Sequence, residues 1–199
     1  MPTITIKTDP DDPFSTIVSD QVDWIMKMYV ETNNVDYYDG AVSGSSGYVL
    51  YDTDGKGTMA LLLGGENPYG AVAEIYTIQN GVAERKLSTN DPDARDAMIQ
   101  MLKTGYLHTY GGWSGTYGYY RFEDGQLKLV VGMNSYGDGS DNFFRVDPTG
   151  TERDYFFDFI PDGTEVPITE NEFRRLVEKY GGNHEPAELD WKPLAEYGQ

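Results

Sequence analysis

Apolar residues recur every three or four positions near both ends of the chain, a spacing typical of helices with one buried face. In residues 15–33 this apolar stripe contains Val18, Val22, Ile25 and Tyr29, and an Asn-Asn pair follows it. We therefore predict a first helix over residues 15–33.

A second helix, near the C-terminus, has the clearest predicted boundaries. Thr169 and Glu172 have the spacing of a capping box, in which each side chain accepts a hydrogen bond from the backbone N–H of the other residue. Ile168 and Phe173 flank this box as a hydrophobic staple does, and the glycine pair at 181–182 predicts the end of the helix.

A third helix is predicted between these two. Asp91 suits a helix N-cap and Pro92 suits the first helical position, while Gly105 suits the C-terminal end. The buried side of this middle helix would be formed by Met98, Ile99 and Leu102.

Short apolar stretches joined by turn residues predict a series of β-hairpins. Asn80-Gly81, between residues 71–79 and 82–87, is a strong two-residue turn signal. Three further hairpins are predicted to join residues 48–51 to 60–63, 117–122 to 126–131, and 143–146 to 151–159. Consecutive hairpins indicate an antiparallel sheet. The predicted fold is a single α+β domain over residues 15–199, with an antiparallel meander sheet and about three helices, after a polar tether at residues 1–14.

The charge of the chain narrows the classes of partner. The 199 residues carry 33 Asp and Glu against 15 Lys and Arg, a formal net charge of −18. Such a surface repels phosphate backbones and anionic lipids, so neither nucleic acid nor an anionic membrane is expected as a partner. No apolar run approaches the ~20 residues of a membrane-spanning helix, and we predict no integral membrane segment. A glycan or a surface protein remains open as partner, and a monomer is expected.

The chain contains no cysteine, which excludes disulfides, thiol nucleophiles and cysteine-ligated metal centres. His108 and His184 are the two histidines. A cysteine-free composition is compatible with an extracytoplasmic location.

The segment that begins at Asp52 has the spacing of a calcium loop. Such loops place oxygen ligands at positions 1, 3, 5, 7 and 9, with glycine at position 6 for the sharp turn. With Asp52 at position 1, Asp54 lies at position 3, Gly57 at position 6 and Thr58, through its backbone carbonyl, at position 7. Asp52, Asp54 and Thr58 are therefore the candidate metal ligands.

This segment resembles the signature Y-D-x-D-G-[DN]-G-x-x-E-L-L-[IL]-G, which occurs in a group of poorly characterised secreted proteins and lipoproteins of Gram-positive bacteria. The matching residues are Tyr51, Asp52, Asp54, Gly55, Gly57, Leu61, Leu62, Leu63 and Gly64. Residues 75–81 and 189–194 are similar to further segments of that group, and the loop also resembles those of FG-GAP and dockerin modules. The resemblance implies an extracytoplasmic or cell-surface location and no particular activity.

Two departures from the signature weaken the case for calcium. Lys56 occupies position 5 and Ala60 position 9, where the group has oxygen ligands, and Leu63 at position 12 replaces the glutamate of an EF-hand. Two unit charges ~4 Å apart interact by ~1–4 kcal/mol, so a lysine there repels a cation. We expect no cofactor, with Ca²⁺ as the disfavoured alternative, and a loop in which the Lys56 ammonium offsets Asp52 and Asp54.

Residues 106–120 are rich in tyrosine and glycine. Exposed aromatic rings stack on sugar faces, and glycines allow a ligand to approach the backbone. Tyr110, Trp113, Tyr117 and His108 are therefore the candidate ligand-binding residues. The alternative is that these rings fill an interface between the sheet and a helix, as aromatic residues in strands often do.

Weaker chemical signals remain in the loops. Ser114 lies near His108 in sequence, but a Ser-His-Asp arrangement is defined by geometry rather than by spacing. Asp138, Ser140 and Asp141 suit either a cation site or a solvated hairpin loop. The favoured function is a non-enzymatic extracytoplasmic binding or interaction domain. The alternatives are a hydrolase acting on carbohydrate or peptide, and a structural module with a vestigial calcium loop.

Overall fold

The structure, a computed structural model, describes residues 6–32, 47–65, 71–89, 97–111, 116–135, 143–147 and 165–199. Two α-helices lie in this part of the chain, α1 (Ser15–Thr32) and α2 (Glu170–Gly181), with a single 3-10 turn at Leu194–Glu196. The strands are β1 (Gly47–Asp52), β2 (Met59–Gly64), β3 (Ala71–Gln79), β4 (Val82–Ser88), β5 (Ala97–Met101), β6 (Leu107–Gly111), β7 (Thr116–Glu123), β8 (Gln126–Ser135), β9 (Phe143–Val146), β10 (Glu165–Ile168) and β11 (Lys192–Pro193).

The eleven described strands form one antiparallel sheet, in which ten follow the order β10-β9-β8-β7-β6-β5-β3-β2-β1-β11 and β4 pairs with β3 off this path. The sheet divides at β3. One edge of this strand pairs with β2 along its length, while the other edge pairs with β5 at Ala71 and Val72 and with β4 from Glu74 onward. The predicted α+β architecture with antiparallel hairpins is confirmed at this level.

The central core lies between the two parts of the divided sheet. Side chains from β1–β4 meet side chains from β5–β8 there, and all of them are removed from water. Its members are Val49, Leu62, Val72, Ile75, Leu87, Ile99, Met101, Leu107, Tyr120 and Leu127. A side-chain contact joins the parts at one end, where Gln126 Nε2 donates to the carbonyl of Ile78 at 3.1 Å.

Each part of the sheet carries a second apolar cluster on its other face. On the β1–β3 side, Leu61 and Leu63 pack under α1 through Val18 and Val22. On the β7–β9 side, Tyr119 and Met133 pack with Phe173 of α2 in a separate cluster. Because both faces of β2 are covered, residues 60–64 are buried without alternation. No helix among the described residues has the length and apolar character needed to cross a bilayer.

The predicted middle helix is wrong in the described part of its span. Residues 97–101 form strand β5, which pairs with β3 and with β6. Met98 is 43% exposed while Ile99 is 0% exposed, a period of two that fits a strand rather than a helix. Gly105, predicted as a helix end, has a φ of +82° in the turn between β5 and β6. The Asp91-Pro92 start signal lies outside the described residues.

Both terminal helices are confirmed. Thr169 caps α2 by accepting from the backbone N–H of Glu172 at 3.2 Å, and Gly182 ends the helix, as the sequence predicts. Ile168 and Phe173 both belong to the α2-side cluster. Three of the four predicted hairpins are present, whereas residues 151–159, the second arm of the fourth, lie outside the described residues.

Residues 6–14 and 194–197 meet on the α1 side of the sheet. Ile6 and Phe14, within the segment predicted as a tether, are buried with Leu194 and Tyr197. The Tyr197 hydroxyl donates to an Asp12 carboxylate oxygen at 2.8 Å. The N-terminal segment therefore packs on the domain from Ile6 onward.

Candidate functional site

The candidate ligand-binding residues that the structure describes lie on the β6–β7 hairpin. His108 pairs with Tyr119 across the two strands, and Tyr110 pairs with Tyr117. Alternation along a strand places these four side chains on one face of the sheet, opposite Leu107 and Tyr120, which point into the central core. The hairpin thus presents a row of aromatic rings on the α2 side.

Tyr110 and Tyr117 lie at the end of this row where β6 and β7 are connected, and both are half-buried. Their ring centroids are 5.1 Å apart, and the ring of Tyr117 also meets Phe173 of α2 edge-on at 5.5 Å. Burial raises the pKa of the Tyr117 hydroxyl, with a smaller contribution from Tyr110. Both residues therefore keep part of their surface exposed, and residues 112–115, which connect β6 to β7, lie outside the described residues.

His108 lies deeper in the row and is 8% exposed. Its ring stacks against Tyr119 at a centroid distance of 5.0 Å and against Tyr117 at 5.8 Å. Its Nε2 atom is buried and has no hydrogen-bond partner. Burial, together with the charge of His184, lowers the pKa of His108 to about 3. An imidazole with that pKa is a weak general base at neutral pH, so this geometry does not favour a catalytic role for His108.

His184 completes the cluster and was not among the residues predicted for the site. It follows the end of α2, and its ring centroid lies 4.7 Å from that of His108. Its Nε2 atom and the Tyr119 hydroxyl are 2.9 Å apart, within hydrogen-bond distance. A Cβ at Gly181 would come within 2.8 Å of that hydroxyl, so glycine is needed for this approach. His184 lies 76 residues after His108, so no local pattern in the sequence links the two histidines.

Two predicted partners of the cluster lie outside the described residues. They are Trp113 and Ser114, which lie between β6 and β7 in the sequence. The candidate cation loop with Asp138, Ser140 and Asp141 lies outside them as well. These assignments stay predictions.

The aspartate loop joins β1 to β2, and its carboxylates bind the loop's own backbone. Asp52 accepts from Gly55 N–H at 2.8 Å and from Gly57 N–H at 3.1 Å. Asp54 accepts from Lys56 N–H and from the Thr58 hydroxyl, both at 2.8 Å. The Thr58 hydroxyl is the largest of the interactions that lower the pKa of Asp54.

This hydrogen-bonding pattern explains how a loop rich in carboxylates keeps its shape. Gly55 and Gly57 both have a positive φ, which glycine adopts without strain. The carboxylates at Asp52 and Asp54 have backbone N–H groups as partners, and no described ion pair joins Lys56 to either of them. Within the described ranges, no group of three or more acidic or histidine side chains is placed to hold a metal ion.

A second polar cluster, not predicted, lies on β3 and β4. Glu74 is buried, and its carboxylate accepts from the Tyr76 hydroxyl at 2.7 Å and from the Ser88 hydroxyl at 3.0 Å. Arg85 approaches the same carboxylate at 3.5 Å. Because the carboxylate is satisfied by these neighbours, we assign it a structural role.

Comparison of the chain with models of protein families, with curated proteins and with solved structures gave no match in any of the three.

Proposed function

We propose that the chain is an extracytoplasmic, non-enzymatic domain that binds a neutral glycan at the connected end of the β6–β7 hairpin, around Tyr110 and Tyr117. The observation that carries this proposal is the half-buried pair Tyr110 and Tyr117, with ring centroids 5.1 Å apart, which the sequence places a few residues from Trp113. Aromatic rings with one accessible face stack on the apolar C–H face of a sugar ring.

The charge of the protein limits the class of glycan. With a formal net charge of −18, the domain repels polyanionic polymers at low ionic strength, so uronic-acid and sulfated glycans are disfavoured. Neutral oligosaccharides avoid this repulsion. The preorganisation of the rings also favours binding, because side chains that already pack on β7 and α2 lose little freedom when a ligand arrives.

Binding can be tested by calorimetry with chitohexaose, cellohexaose and mannohexaose as separate probes. We expect one of them to bind, and Trp113→Ala and Tyr110→Ala each to raise Kd about tenfold, which is about 1.4 kcal/mol. Tyr51→Ala is the matched control, since Tyr51 is a half-buried tyrosine that stacks on Phe122 at 5.5 Å beside the central core, whereas Tyr117 packs in the α2-side cluster.

The proposal fails if none of the three probes binds, or if the hairpin variants and the Tyr51 control weaken binding equally. If glycans do not bind but Tyr110→Ala abolishes capture of a purified cell-surface protein, the hairpin is a protein-binding surface instead. The cellular location is tested separately: the source cells are fractionated, and a specific antibody detects the protein in each fraction. Recovery from the cytoplasm alone would overturn the extracytoplasmic assignment.

A further inference from the structure

Residues 182–191, which we term the C-terminal strap, connect the two parts of the sheet. Near its start the strap pairs with the end of β5: Lys103 N–H donates to Glu185 C=O at 2.9 Å, and Ala187 N–H donates to Met101 C=O at 2.8 Å. Ala187, Leu189 and Trp191 then pack against the central core. The strap leads into β11, which pairs with β1 on the other side.

The first turn of the strap is held by His184. Its backbone has a φ of +52°, a left-handed conformation that is unfavourable for a non-glycine residue. The ring contacts described above, with His108 at 4.7 Å and the Tyr119 hydroxyl at 2.9 Å, keep it in place. These contacts suit two neutral imidazoles.

Protonation of either imidazole places a positive charge in a ring contact that suits two neutral imidazoles. The groups that face the imidazoles are Tyr110 from β6, Tyr117 and Tyr119 from β7, and the other histidine. Besides burial, His184 is the one group that lowers the pKa of His108, and burial alone lowers the pKa of His184, so no described carboxylate stabilises a cation there.

The nearest charges on the strap belong to a separate contact. Lys103 and Glu185 form an ion pair at 3.1 Å, and each side chain is more than half exposed. Lys179, at the end of α2, lies over the ring of Tyr180. An exposed pair of this kind contributes little to stability and does not compensate a proton on a buried imidazole.

We propose that the His108–His184 contact is an acid-sensitive latch: uptake of a proton separates the two rings and releases the C-terminal strap from β5 while the sheet stays folded. Release uncovers the edge of the central core at Leu189 and Trp191 and frees the β5 backbone. This inference stands independently of glycan binding.

The direction and size of the effect follow from proton linkage. His108 has a pKa of about 3 in the closed state and an ordinary value of 6.5 once water reaches it. The closed state is therefore fully favoured above pH 6.5 and loses stability as the pH falls from 6.5 toward 3. At pH 4.5, full release of His108 multiplies the open fraction by up to about 100.

Amide hydrogen exchange tests the latch, with rates corrected for the intrinsic pH dependence. We expect the protection of the Lys103 and Ala187 amides to fall at least about tenfold between pH 7.0 and pH 4.5, while the β2 amides of Leu61 and Leu62 stay protected. In the double variant His108→Phe/His184→Asn, which keeps an aromatic ring and a residue tolerant of positive φ, protection is expected to be independent of pH.

Three results overturn the proposal. The first is that the wild-type strap keeps its protection at pH 4.5. The second is that the β2 amides lose protection in parallel with the strap. The third is that the strap of the double variant opens at low pH as the wild-type strap does. If the variant does not fold, the wild-type protein still decides, because the loss of protection must coincide with the titration of the histidine ring protons observed by NMR.

Discussion

The hairpin that carries the aromatic row has no room for a side chain at Gly118. A Cβ at this position would lie 2.7 Å from Cε2 of Tyr120, about 0.8 Å inside an ordinary carbon–carbon contact, and it would also overlap Oγ1 of Thr109. Both neighbours are buried, so neither can move into solvent. Gly118→Ala is therefore expected to destabilise the protein.

The magnitude is the balance of two effects. Overpacking of this kind costs about 1–3 kcal/mol, while replacing glycine restricts the unfolded chain and returns about 0.4–1 kcal/mol. We expect a net loss of about 1–2 kcal/mol in the free energy of unfolding, which corresponds to about 2–8 °C in Tm for a chain of this size. Urea unfolding followed by circular dichroism measures it.

A control and a double variant make this prediction specific. Gly132→Ala is the control, because the nearest atom to its added Cβ, Cβ of Val146, lies at 3.1 Å and the loss should be smaller. Thr109→Ala removes one of the two overlaps at Gly118, so the double variant Thr109→Ala/Gly118→Ala should lose at least ~0.5 kcal/mol less than the sum of the single losses. Additive losses, or equal losses at both glycines, would refute the reasoning.

Three further predictions concern buried polar groups and the aspartate loop. Burial raises the pKa of Tyr76, Tyr119 and Tyr197 above the ordinary value of 10. The folded protein should therefore lose stability as the pH rises above 10. A denaturant midpoint that stays constant from pH 8 to 11.5 would contradict this prediction. Tyr76→Phe should lower the free energy of unfolding by about 1.5–3 kcal/mol, because it removes a hydrogen bond to the buried Glu74 carboxylate. Urea unfolding measures this loss. A loss below about 0.5 kcal/mol would mean that Arg85 and Ser88 are sufficient partners for the carboxylate. Replacing chelator by calcium should leave Tm unchanged, because the loop carboxylates already accept hydrogen bonds from backbone N–H groups. If the loop did bind calcium, a free calcium concentration of 100 times the Kd would stabilise the protein by ~2.7 kcal/mol, and calorimetry would detect the rise in Tm.

Local signals in the sequence predict the elements whose boundaries depend on a few neighbouring residues. Thr169 and Gly182 mark the two ends of α2 because capping is decided within one turn of helix. Asn80-Gly81 fixes its hairpin for the same reason: both residues have a positive φ, as that turn requires.

Long-range packing explains the errors. Met98, Ile99 and Leu102 suit a helix face as well as a strand, and pairing with β3 and β6 decides for the strand. His108, Tyr110 and Tyr117 are brought together as the local pattern suggests, because they belong to one hairpin. The Tyr119–His184 contact and the hydrogen bond from Ser88 to the buried Glu74 join polar side chains that are far apart in the sequence. No periodic pattern of residues predicts such contacts.

The packing of residues 194–197 with residues 6–14 under α1 has a consequence for biosynthesis. Asp12 and Tyr197 are hydrogen-bonded across 185 residues, and Leu194 completes the apolar cluster that holds the N-terminal helix. During translation α1 leaves the ribosome well before Leu194, so its packing surface is incomplete until residues 194–197 have also emerged. Until then the α1 layer is exposed to chaperones and proteases, and a chain that lacks residues 194–199 should leave this layer incompletely covered.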